Sequence, residues 1–98
     1  MGLVFTASAE MDLEAIGDYI ALDNPTRALT FIQEIRKRCE LIVASPRGAP
    51  LYEGLPDGLR QISFGRYLIF YKQVDTDIVV IRVLHAAQDV PNQLGEGD

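Results

Sequence analysis

The chain has 98 residues, 48% of them apolar, with a formal net charge of −5 and a pI near 4.7. A chain this short closes one core, so residues 1–98 read as a single domain too apolar to be disordered. The acidic balance argues against non-specific nucleic-acid binding, and a lone Cys39 and a lone His85 exclude an internal disulfide, a cysteine metal cluster and most triad chemistry. No apolar run approaches the ~20 residues of a membrane span, and no basic-then-apolar leader is visible. A cytoplasmic protein without metal or cofactor is expected. The charge is uneven: residues 1–24 hold five acids and no Lys or Arg, whereas residues 25–72 hold eight of the nine basic side chains.

In chain order, residues 3–6 predict a short strand and Ser8 a helix N-cap. From Ala9 onward Leu13, Ile16, Gly17 and Ile20 recur at helical spacing, with Glu10 and Asp12 in the first turn where the dipole favours acids. Glu10, Glu14 and Asp18 stack one turn apart as an acidic ridge without a basic partner. Such a ridge is either a solubilising face or a docking stripe for a basic segment. Asn24 and Pro25 then announce a second helix, as N-cap and N1. It extends to about Ala44, a rod of roughly 30 Å, and Ser45-Pro46 ends it. Ala28, Phe31, Ile32, Ile35, Cys39 and Ile42 form its apolar stripe, which makes Cys39 a buried hydrophobe rather than a reactive thiol. Arg36-Lys37-Arg38 reads as a solvated face, with Glu34 set to pair with Arg38 and Glu40 with Arg36.

Residues 46–58 are rich in Pro and Gly and read as a loop. Three strands follow at 59–64, 67–74 and 78–85. Gly65-Arg66 makes a tight hairpin between the first two, and Asp75-Thr76-Asp77 links the next pair. Residues 91–98 form a polar, frayed tail. The order is βααβββ, an α+β domain with a helical hairpin on a small antiparallel sheet. The run from Tyr67 to Tyr71 is apolar on both faces, and 78–84 nearly so, interrupted only by Arg82. Two helices cover one face of such a sheet. The other is closed by another chain, or by the loop 46–58 and the tail.

These residues carry a resemblance. Asp12-Leu13, Ile16 and Tyr19-Ile20 on the first helix, Asp23-Asn24-Pro25 at the turn, Leu59-Arg60, the run from Gly65 to Tyr71, and the run from Arg82 to Ala87 followed by Asp89 resemble ParE-type toxins of the RelE/ParE superfamily. The match spans roughly residues 3–90, and order and spacing carry it together. The resemblance implies a RelE/ParE-like fold and a toxin neutralised by a cognate, ParD-like antitoxin whose C-terminal segment wraps it. ParE-like toxins are taken to poison DNA gyrase, whereas RelE-like cousins cut mRNA on the ribosome. The family commonly has an arginine where this chain has Gln88.

Metal-free RNA cleavage needs a base for the 2′-hydroxyl, an acid for the leaving oxygen, and cations for the phosphate. The candidates are Arg60, Arg66, Arg82 and His85, and after His85 there is no Lys, Arg, Tyr or Phe. A lone imidazole lacks a second proton carrier. By alternation His85 shares a face with Val79, Ile81 and Val83, and reads as a rim histidine bonded to backbone. Arg60 shares a face with Ile62 and Phe64, so its head escapes at an edge or finds an acid. Arg66 sits at a hairpin tip, and Asp57, Asp75 or Asp77 could pair with either arginine. The expectation is a protein-binding toxin that does no chemistry, with no direct nucleic-acid or membrane contact. Its target would meet Arg60, Arg66, His85 and Gln88; its antitoxin would meet Glu14, Asp18, Tyr67, Ile69 and Tyr71. The alternatives are a ribosome-dependent mRNA endonuclease and a degenerate, non-toxic relative.

Overall fold

The computed structural model describes residues 2–45 and 58–87. Its elements are β1 (Leu3–Phe5), α1 (Ala7–Ala21), α2 (Pro25–Ala44), β2 (Arg60–Phe64), β3 (Tyr67–Val74) and β4 (Asp77–His85), in the expected order. Asp57, Gln88, the tail 91–98 and nearly all of the loop 46–58 lie outside the described residues.

Helix α1 begins earlier than the apolar spacing predicts. Thr6, not Ser8, is the N-cap: its hydroxyl accepts from the Ala9 N–H at 3.1 Å and donates to the Ile81 carbonyl at 2.8 Å. One side chain thus caps the helix and ties it to the sheet, a long-range bond that helical spacing does not reveal. Helix α2 follows its signals. Asn24 accepts from the Arg27 N–H at 3.0 Å, Pro25 opens the first turn, and Ser45 is the C-cap.

The sheet order is β1-β4-β3-β2. Strands β2, β3 and β4 form the expected antiparallel meander. Strand β1 pairs with β4 in parallel, from Leu3 opposite Ile78 to Phe5 opposite Val80, so the sheet is mixed rather than wholly antiparallel. The partner of β1 lies far along the chain, and no hairpin signal announces it. The turn between β2 and β3 has φ of 59° at Gly65 and none positive at Arg66, the signature of a type II′ turn. The second hairpin is tighter than expected: Asp77 already pairs with Val74, leaving Asp75 (φ 55°) and Thr76 as the loop.

A bulge decides which side chains of β4 face the helices. Phe70 pairs with Arg82 and Tyr71 with Val80, so Ile81 is the extra residue and the alternation changes phase there. Ile78, Val80, Val83 and His85 therefore share the helix-facing side with Tyr67, Ile69 and Tyr71. The grouping of His85 with Val79 and Ile81 is corrected for that reason. On this side Ala9, Leu13 and Ile16 of α1 and Ile35, Cys39 and Ile42 of α2 complete the core. On the opposite face Leu59, Phe70 and Leu84 cluster with Leu68 and Ile81. Phe70 is 0% and Leu84 2% exposed, so at these positions the second face is already closed within one chain. Among the described residues, no helix is long and apolar enough to cross a membrane.

Candidate functional site

Where β4 outruns the short β1, its edge would expose backbone donors. Asp12 of α1 fills that gap, accepting the Val83 N–H at 2.9 Å. The same carboxylate takes a bidentate bond from Arg82, at 2.7 Å from Nε and 2.9 Å from Nη2. The two side chains are 13% and 24% exposed, so each charge is largely withdrawn from water and compensated by the other. Arg82 is thereby a structural cation, committed to joining α1 to the sheet. Sequence reasoning read Asp12 as a dipole partner only. The missed signal is a lone arginine inside an apolar strand, which must find an acid somewhere.

The β2–β3 turn and the end of β4 meet against the far end of the helical hairpin. Tyr67 and His85 are cross-strand neighbours, their rings edge to face at 5.2 Å. Phe31 of α2 packs with tilted rings against Tyr67 at 5.6 Å and Phe64 at 5.5 Å. The Arg27 guanidinium lies over Phe31 at 5.1 Å, held there by Glu34 at 2.8 Å. Arg27, Phe31, Tyr67 and His85, together with Ile16, Tyr19 and Ile20 of α1 and with Arg66 at the turn, line a groove of about 670 Å³. It is aromatic on its floor and cationic on its rim.

The groove's proton chemistry is limited. His85 Nδ1 accepts from the Ala87 N–H at 3.0 Å, so in the neutral ring the proton sits on Nε2, which then donates. This bears out the reading of a rim histidine bonded to backbone. Burial, with Tyr19 close by, raises the Tyr67 hydroxyl above its ordinary value, so it too keeps its proton. Among the described residues no cluster of His, Cys, Asp or Glu could hold a metal ion.

Of the sequence candidates, the structure brings together Arg66, Tyr67 and His85, and adds Arg27, Tyr19 and Phe31, none of which the sequence marked as a site residue. Tyr19 was legible as a large aromatic on the polar side of α1, where it is 72% exposed. Arg60 stands apart. It faces Tyr71 at the opposite end of β2, four strand positions from the turn, roughly 13 Å away at ~3.3 Å per residue. Ile69 and Tyr71 are 0% and 1% exposed beneath the helices, so neither offers a surface to an antitoxin. Strand alternation hid this, because an all-apolar run does not say which side is covered.

The acidic ridge does meet a base: Arg36 of α2 bonds Glu10 at 2.7 Å and lies over the Phe5 ring. Glu34 likewise pairs with Arg27 instead of Arg38, so the local pairs read within α2 are replaced by contacts one or two turns, or one helix, further away. Glu14 and Asp18 remain exposed along a second groove of about 620 Å³ between the helices.

A family model described as the ParE toxin of the type II toxin–antitoxin system parDE matches residues 3–90. The chain belongs to the ParE toxin family. Solved structures agree on the fold of this ParE-type toxin. A chain of the chromosomal ParDE toxin–antitoxin system from P. aeruginosa superposes with a TM-score of 0.75 at 26% identity, covering 87% of this chain and 95% of its own. Chains of the intact E. coli RelBE toxin–antitoxin complex (TM-score 0.61, 22% identity, 88% and 96% covered) and of the isolated E. coli RelE toxin (0.62, 21%, 97% and 95%) share the architecture. No curated protein matches significantly.

Proposed function

We propose that this ParE-type toxin acts by binding protein and catalyses nothing: it holds DNA gyrase in a DNA-cleaved state and is silenced by a ParD-like antitoxin. The observation that carries this reading is the state of its charges. A nuclease needs cations aimed at a phosphate and two proton carriers. Here Arg82 is bound bidentately to Asp12, Arg27 is bonded to Glu34, and the imidazole nitrogen toward the backbone is already an acceptor. What the groove offers instead is an aromatic floor with Arg66 and His85 at its rim, the composition of a protein-contact hot spot. Target contact is assigned to Arg66 and His85, with Arg60 and Gln88 as further contacts. Antitoxin contact is assigned to Glu14 and Asp18, and to the edge of Tyr67.

Cleavage of mRNA is the second reading, favoured by Arg66 and His85 sharing one groove and by the fold shared with RelE. Induced expression separates the two. The proposal expects arrested growth with DNA-damage signalling and intact transcripts, relieved by co-expressed antitoxin. Cut transcripts without DNA damage, abolished by His85→Ala, would turn the reading over to the nuclease.

A further inference from the structure

Charge is distributed unevenly around the aromatic groove. Arg27, Arg66 and His85 stand on its rim, and no Asp or Glu is among the described residues that line it. This holds although the whole chain has 14 acids to nine Lys and Arg. The groove is also held in shape before anything enters it. The Ala86 N–H bonds the Arg66 carbonyl at 2.9 Å, which ties the β2–β3 turn to the end of β4. Arg27 is fixed over the Phe31 ring by bonds to Glu34 at 2.8 Å and to the Thr30 hydroxyl at 3.1 Å. We propose that this groove receives an acidic segment of the target protein, one in which a large apolar side chain is flanked by Asp or Glu.

The occupant follows from three properties of the groove. Its floor is apolar and its volume, about 670 Å³, admits a large side chain together with the backbone that carries it. Tyr19 stands at the margin, 72% exposed, and an apolar anchor seated beside it covers its ring. The rim selects the flanks. Arg66 is exposed on its turn and bonds no acid among the described residues, so an acidic flank is complementary and a basic one is repelled. The third property sets a protein above a nucleic acid. A strand needs cations in a track along its backbone and open ring faces on which bases stack. Here the cations are gathered at one groove, Glu14 and Asp18 line the groove on the other flank of α1, and Arg27 covers the Phe31 ring. Because the rim and floor are already pinned, little ordering is left to oppose binding.

The inference rests on the target-binding half of the proposed function, since it names the chemistry of what Arg66 and His85 meet. Its test uses the intact chain, labelled for amide NMR, and two synthetic peptides with one central Phe, flanked by Asp in one and by Lys in the other. A short oligothymidylate is the third probe. The Asp peptide is expected to shift the amides of Tyr19, Gly65, Arg66 and Tyr67. Its affinity should fall about tenfold or more in Arg66→Glu, whose exposed position leaves the thermal melt unchanged. It should rise about threefold in Glu34→Gln, which removes the acid that offsets Arg27. Equal binding of the two peptides, shifts confined to Gly17, Ala21 and Leu29, or tighter binding of the oligothymidylate in the groove would each overturn the inference. A chain that inhibits gyrase without preferring the Asp peptide keeps the proposed function and loses this inference. One that binds the Asp peptide as expected but leaves gyrase untouched keeps the acidic occupant and loses only gyrase as its source.

Discussion

Single side chains do most of the joining between layers. Asp12 holds both Arg82 and the Val83 N–H, so Asp12→Ala leaves a guanidinium and a backbone donor short of partners in a half-buried setting. A loss of about 3 kcal/mol is expected from urea melts. Asp12→Asn keeps an acceptor for Val83 and should lose less. Arg66→Ala, at an exposed turn tip, should leave the melt unchanged and weaken the proposed gyrase inhibition at least tenfold. Cys39 carries a pH signature: burial pushes its thiol up from 9.0 to about 11. Below pH 9 both folded and unfolded chains keep that proton and the full stability is present. As pH rises toward 11 the unfolded thiol ionises first and stability falls, by roughly 2–3 kcal/mol in all. Comparing the stability–pH slope of Cys39→Ala with the parent isolates this contribution.

At the scale of elements, two changes should stabilise. Gly17→Ala lies in mid-helix with its new Cβ at ordinary contact distance from Ile32, so about 0.5–1 kcal/mol is expected from helix propensity. Asp75 adopts a positive φ of 55°, and Asp75→Gly should gain up to about 1 kcal/mol, both read as a higher Tm. The elements themselves were legible because each is announced locally: the Asn24-Pro25 start, the Ser45-Pro46 stop, the Gly65 turn and the 3.6-residue stripes. What escaped was long-range. The Thr6 bond to Ile81, the parallel partner of β1 and the Asp12–Arg82 pair all join residues distant in sequence. The bulge at Ile81 escaped too, since an all-apolar strand gives no alternation to break. The site was read unevenly for the same reasons. Arg66 and His85 were found as loop and strand-end residues. Tyr19, Arg27 and Phe31 join them only once the hairpin is seated, and Ile69 and Tyr71 prove to be floor rather than surface.

The whole molecule is an acidic chain in which Arg27, Arg36 and Arg82 are bonded to its own acids and two grooves flank one helix. That arrangement suits recognition of folded partners better than the gripping of a polyanion. A binder and a catalyst differ in stoichiometry, and this decides the central claim. The most direct measurement is a titration of the purified chain into a gyrase supercoiling assay, scored for inhibited supercoiling and for trapped, cleaved DNA. The account predicts inhibition that saturates near one chain per gyrase subunit, with cleaved DNA accumulating and added RNA left intact. Undiminished supercoiling with the chain confirmed folded, or degradation of RNA by catalytic amounts of it, would contradict the account.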